Sequence, residues 1–151
     1  MHLLTIYPIQ SCNLKCEQCP SKPWLLPVND TGNKLNNEML FKWLDKFCPP
    51  RKWFIEIRGG EPSLYPEIDG LVYGLNERRY YGLIKTNGIL PIPKTEKFRR
   101  IAAWHLDINN PPKNYDSLLI LKNPKDNWRE KIKYCVDNNI PYGHATFHYF
   151  W

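Results

Sequence analysis

Apolar runs of strand length alternate with amphipathic runs of helix length along most of the 151 residues, and this restricts the chain to parallel βαβ units. The pattern predicts strands near residues 2–9, 53–58, 82–86, 102–107, 117–121 and 141–148, with helices near 36–48, 67–79, 94–101 and 126–139. Asn36 or Asn37 is the expected cap of the first helix, where Met39, Leu40, Trp43, Leu44 and Phe47 share an apolar face. Asp126 is the expected cap of the last, with Trp128, Ile132, Cys135 and Val136 spaced for burial. The stretch from Asn109 to Ser117 contains Pro111-Pro112 and is too short for a crossover helix, so a loop or single turn is expected there. The expected fold is α/β, a partial (βα)6 TIM-like barrel of six mostly parallel strands with a trimmed crossover after strand 4. No composition shift or linker divides it, which predicts a single domain over 1–151.

A chain of this length and 42% hydrophobic content can bury a core without disulfide staples, so disorder is excluded. Its apolar runs are too short to span a bilayer, and residues 1–20 lack the charged start and apolar middle of a signal peptide. A cytoplasmic protein with no membrane partner is expected. The net charge of +6 is moderate and diffuse. Lys94, Lys97, Arg99 and Arg100 form the densest basic group, which a solvated helix face explains as well as a phosphate contact, so nucleic acid is not indicated.

The five cysteines are unevenly placed: Cys12, Cys16 and Cys19 fall within eight residues, whereas Cys48 and Cys135 stand alone at apolar helix positions. An odd count without a secretory signal argues against a disulfide framework. The spacing C-x3-C-x2-C on a short loop suits an iron–sulfur cluster or zinc. Zinc in a closed site needs a fourth ligand, from Cys48, Cys135, His105, His144 or His148, yet none belongs to a second paired motif. Three thiolates without a fourth would leave one iron of a [4Fe–4S] cluster open to an outside ligand.

Three further segments follow in order. Trp53 to Ile57 is an apolar strand leading through Arg58 into Gly59-Gly60-Glu61-Pro62; Gly82 to Lys85 closes in Thr86-Asn87-Gly88; and Ala103 to Asn109 carries Asp107 and Asn109 where a strand's C-terminal end is expected. In order and spacing these resemble the radical S-adenosylmethionine (radical SAM) enzymes. Parallel barrels collect catalytic groups at the C-terminal ends of strands, where all four segments are expected to fall.

The resemblance implies that Cys12, Cys16 and Cys19 ligate three irons of a [4Fe–4S] cluster, with the fourth chelated by the amino and carboxylate groups of SAM. An electron would then cleave SAM to methionine and a 5′-deoxyadenosyl radical that removes hydrogen from the substrate, the protein supplying orientation and solvent exclusion. Gly59, Gly60 and Glu61 would hold the methionine end, with the Glu61 carboxylate facing its ammonium. Thr86, Asn87, Asp107 and Asn109 would supply further cofactor contacts. The backbone near Gln18 and residues 142–148 would border the adenine. The family commonly has an aromatic residue where Gln18 stands, and Leu118 to Pro124 shows no glycine for an adenine ledge, so adenine contacts on the fifth strand stay unassigned.

A small-molecule or nucleotide-like substrate is the leading expectation. A peptide or protein modifier, including an activase, is the alternative, and a non-catalytic iron–sulfur or zinc scaffold is the second. The compact size resembles the deazaguanine synthases and the glycyl-radical activases, although the cluster-loop sequences distinctive of either are missing. Strand alternation puts His144, Thr146 and His148 on one face, making them substrate-pocket candidates if that face lines the barrel. The loop from Trp24 to Gly32 is a lid or a connector. The chain ends at Trp151, and no cysteine-rich extension for auxiliary clusters is expected. The implied partner is a low-potential electron donor, flavodoxin-like or ferredoxin-like. A homodimer through an uncovered barrel edge is also expected.

Overall fold

The computed structural model describes residues 1–16, 19, 25–26, 34–105, 107–122 and 127–146, and the backbone alone at 121, 145 and 146. Six strands form one sheet: β1 (His2–Ile6), β2 (Trp53–Ile57), β3 (Tyr81–Thr86), β4 (Phe98–Ala103), β5 (Ser117–Lys122) and β6 (Tyr142–Thr146). Every pairing is parallel and spatial order equals sequence order, which leaves β1 and β6 as edges of an unclosed barrel. Among the described residues three α-helices accompany them, α1 (Asn37–Phe47), α2 (Ile68–Glu77) and α3 (Trp128–Asp137). Among the described residues no helix is long and apolar enough to cross a membrane.

Paired residues in neighbouring strands share a face, so the register separates the two sides of the sheet. Leu4, Ile55, Ile57, Ile84, Phe98, Leu118 and Ile120 face the helices. There Ile55, Ile57, Ile84 and Phe98 pack with Leu44, Leu71 and Leu75 in one core, and Leu118 and Ile120 pack with Ala102, Trp104 and Cys135 in a second. The inner side carries Leu3, Thr5, Phe54, Glu56, Leu83, Lys85, Ile101, Ala103 and Leu119, and it is the more solvent-exposed of the two. Cys48 and Cys135 are buried in the helix-side cores, as their apolar spacing predicts.

Four elements differ from the sequence reading. The helix expected over 94–101 is absent: the link from β3 to β4 contains Pro91 and Pro93, and β4 starts at Phe98 rather than near 102. Among the described residues two crossovers therefore lack helices, after β3 as well as after β4. The misreading comes from Arg100, which breaks the apolar alternation of Phe98 and Ala102 yet is itself buried. On α1, Asn36 is the cap, its Oδ1 accepting from the Met39 amide at 2.9 Å, but Met39, Trp43 and Phe47 are exposed while Leu44 is buried. On α3, Val136 is exposed, and the buried position falls to Lys131, whose ammonium donates to the Trp104 carbonyl at 3.1 Å. Asn127 occupies the cap position of α3; residue 126 lies outside the described residues.

Arg100 is held by Asp116 through Nε to Oδ2 and Nη2 to Oδ1, each 3.3 Å, while the Arg100 amide donates to Oδ2 at 2.7 Å. Burial pushes the Asp116 carboxyl up, but the hydrogen bonds and charge of Arg100 outweigh it and hold the group below its ordinary value. A depressed carboxyl contributes stability that is full above its unfolded pKa and lost as pH falls through the folded one. The thermal midpoint is therefore expected to fall on acidification below about pH 4. Asp116→Asn should lower it at neutral pH and flatten that acid limb; an unchanged acid limb in melts from pH 6 to pH 2 would refute the assignment.

Candidate functional site

The site begins where β1 and β2 end. Past β1 the chain continues extended beside the residues after β2: the Arg58 amide donates to the Ile6 carbonyl at 3.0 Å, Gly60 to Ile9 at 3.2 Å and Glu61 to Ser11 at 2.8 Å. This approach leaves no room for side chains. A Cβ on Gly60 would lie 2.0 Å from the Ser11 carbonyl oxygen, and one on Gly59 2.7 Å from that of Ile9, with Gly59 at φ +152°. The two glycines thus form the seat on which the start of the cysteine loop rests.

Glu61 ties this seat to β3. Its side chain is buried, at 1% exposure, and accepts four hydrogen bonds. Oε1 takes the Ser63 amide at 3.0 Å, the Ser63 hydroxyl at 2.6 Å and the Thr86 hydroxyl at 2.5 Å, while Oε2 takes the Asn87 amide at 2.7 Å. Asn87 then reaches back into the cysteine loop, its Nδ2 donating to Asn13 Oδ1 at 2.7 Å. Three segments distant in sequence are thereby clasped around one carboxylate.

Cys12, Cys16 and Cys19 are all half-buried on this loop, where the Cys19 amide donates to the Cys16 carbonyl at 3.3 Å. Burial raises the Cys12 thiol above its ordinary value, opposed by the Leu14 amide that donates to its sulfur at 3.4 Å and assisted by Glu61 and Cys19. Burial also raises Cys16, helped by Cys12 and Cys19. Burial and neighbouring negative charge thus favour the neutral form of Cys12 and Cys16, a cost to thiolate ligation that a bound cation would offset. Among the described residues, no three His, Cys, Asp or Glu side chains are gathered closely enough to hold a metal ion. The donor set, three soft thiols above a glycine seat, fits an iron–sulfur cluster.

The other expected site residues divide. Thr86 and Asn87 join the clasp. Asp107 and Asn109 lie on an exposed turn beyond β4, not at its end, with Asp107 Oδ1 accepting from the Asn109 amide and side chain, both at 2.9 Å. Asn109 borders a cleft of about 430 Å³ that also takes in Ile89, Ile92, Arg100 and Tyr115. Gln18 and His148 lie outside the described residues, as does most of the segment 24–32, and only the backbone of Thr146 is described. His144 pairs with Ile120 and so shares the helix side of the sheet, where it is exposed; the face it occupies does not line the barrel. His105 is brought to the loop, its Nδ1 lying 3.7 Å from Cys16 Sγ. Asn13 and Ser63 were missed, although Asn13 stands inside the cysteine motif.

A family model described as the radical SAM superfamily matches residues 6–150. The chain belongs to the radical SAM superfamily. It is 31% identical over 132 residues to a 7-carboxy-7-deazaguanine synthase of Aquifex aeolicus, covering 87% of this chain and 55% of that protein. With one from Hyperthermus butylicus it shares 32% over 91 residues, 59% of this chain and 36% of the relative. The chain thus spans about half the length, or less, of the curated relatives it matches. Among solved structures, SuiB of Streptococcus suis bound to S-adenosylmethionine superposes with a TM-score of 0.75 at 18% identity, covering 98% of this chain and 41% of that one. QueE from Escherichia coli gives 0.62 at 14% identity, covering 96% and 85%. Both likenesses establish the radical SAM fold for the sheet described above. The missing distinctive loop sequences therefore do not separate the chain from the deazaguanine synthases over the rest of its length.

Proposed function

We propose that this chain is a radical SAM enzyme acting on a small, nucleotide-like molecule, with Cys12, Cys16 and Cys19 holding a [4Fe–4S] cluster. The observation that carries this reading is the Glu61 clasp, which joins the cysteine loop, the Gly59–Gly60 seat and the Thr86–Asn87 end of β3. When bound, the cluster and SAM supply an electron and a 5′-deoxyadenosyl radical. The chain's own residues set the position of that chemistry: the glycine seat fixes the loop, and Gly59, Gly60 and Glu61 would border the methionine end. The relatives named as 7-carboxy-7-deazaguanine synthases favour a purine-like substrate over a peptide. A net charge of +6 suits docking of an acidic flavodoxin-like or ferredoxin-like donor.

The test is anaerobic reconstitution with iron and sulfide, then dithionite and SAM, with 5′-deoxyadenosine measured chromatographically. The intact chain is expected to form it, and Cys12→Ala/Cys16→Ala/Cys19→Ala to lose both iron and product. Iron retained by the triple variant, or intact SAM after full reduction of a loaded cluster, would count against this reading. The position of His105 favours a second one, a closed zinc site of three cysteines and one histidine without turnover. Zinc bound in a one-to-one ratio and lost in His105→Ala, with no iron–sulfur absorption after reconstitution, would favour it.

A further inference from the structure

The inner face carries one charged group that the cofactor reading leaves unused. Glu56 on β2 is buried and points into the barrel hollow, where Lys85 Nζ on β3 lies 2.6 Å from its Oε1. Its Oε2 lies 3.8 Å from Arg58 Nη1 and accepts from the Thr5 hydroxyl at 3.4 Å. Arg58 is braced further by Tyr7, whose hydroxyl accepts from Nε at 3.0 Å and whose ring lies 5.5 Å from the guanidinium carbon.

Two cations therefore share one carboxylate, leaving one positive charge in excess. The side chains of Lys85 and Arg58 remain 41% and 45% exposed, so their heads reach the hollow rather than being sealed within the pair. An ammonium has three donors and a guanidinium five, more than the contacts with Glu56 and Tyr7 use. Position adds to charge. Arg58 immediately precedes Gly59, and Lys85 immediately precedes Thr86, so both cations stand at the boundary between the hollow and the glycine seat.

We propose that Lys85 and Arg58 form a seat for a substrate carboxylate, with Glu56 holding the two cations apart and oriented. This rests on the radical SAM reading and deepens it. A carboxylate matches an unfilled ammonium donor beside a planar fork, and charge-assisted hydrogen bonds of this kind are stronger than neutral ones. In the same reading the carboxylate of SAM is engaged at the cluster, which leaves the seat to the second reactant. Glu56 is the positioning residue, and the two cations make the contact.

The test is calorimetric titration of the reconstituted, unreduced protein with 7-carboxy-7-deazaguanine, by the relatives' name the product of their reaction and so a carboxylate of the same site, and with its 7-carboxamide. The acid is expected to bind about tenfold more tightly than the amide. Arg58→Gln, and Glu56→Gln/Lys85→Gln, which removes the closer ion pair together and leaves the half-exposed Arg58 held by Tyr7, should each erase that preference while leaving SAM affinity and the thermal midpoint near the parent values. Equal affinity for acid and amide, or no binding of either by the folded protein, overturns the proposal. Loss of SAM affinity in these variants also overturns it and assigns the cations to the cofactor's carboxylate. Dithionite added to parallel samples reports 5′-deoxyadenosine separately, so a failed seat and failed SAM cleavage are read independently.

Discussion

Glu61→Ala is expected to remove iron binding and SAM cleavage together and to lower stability by roughly 3–5 kcal/mol. The reason lies in what the carboxylate leaves behind. The Thr86 hydroxyl, the Asn87 amide and both Ser63 donors would lose their acceptor in a site where Glu61 is 1% exposed, and each orphaned donor costs about 1–3 kcal/mol. For a chain of this size that corresponds to a fall of about 10 °C in thermal midpoint. Glu61→Gln keeps the shape and at most three of these bonds and turns its amide nitrogen against the Asn87 amide donor, so about 1–2 kcal/mol is expected. If the carboxylate served only as a partner for the SAM ammonium, both variants would melt with the parent and lose SAM affinity alone. Melting curves and iron content of the two variants decide between these roles.

Gly60→Ala should be nearly as damaging to the site through a different route. Its Cβ would meet the Ser11 carbonyl oxygen at 2.0 Å and the carbonyl carbon at 2.5 Å. These are backbone atoms one residue from Cys12, so no rotamer change relieves the overlap. The loop has to move away from β2, breaking the bonds from the Gly60 and Glu61 amides to Ile9 and Ser11. Overpacking typically costs about 1–3 kcal/mol, and with two buried hydrogen bonds lost the upper end is expected. Cluster retention is the sharper readout, because displacement is concentrated at the first cysteine. A Gly60→Ala protein that reconstitutes like the parent would show that the glycine seat does not position the loop.

The architecture was legible in the sequence wherever an element's own residues decide it. β2, β3 and β5 read as strands from apolar runs, and Asn36 read as a cap because its side chain acts three residues away. The main failures required a partner distant in sequence. Arg100 looks like a surface residue until Asp116 pairs with it, and the strand it belongs to was shifted accordingly. Alternation correctly groups His144 with Thr146, but parity does not say which group faces the helices; only the pairing with Ile120 does. Motif order located Glu61 and Thr86, yet their bond spans 25 residues and turns an expected ligand contact into a clasp. The inner-face charges were missed for the same reason, since Glu56 and Lys85 are ordinary strand residues until β2 and β3 lie side by side.

A sheet whose spatial order is its chain order can be assembled vectorially during synthesis, each strand docking on the one made just before it. The cysteine loop, the glycine seat and the Thr86–Asn87 end of β3 all precede Gly88. Ribosome-bound chains that have released β1 to β3, α1, α2 and the next residue, Asn87, already contain every residue of the Glu61 clasp, and the later strands extend a sheet whose clasp is in place.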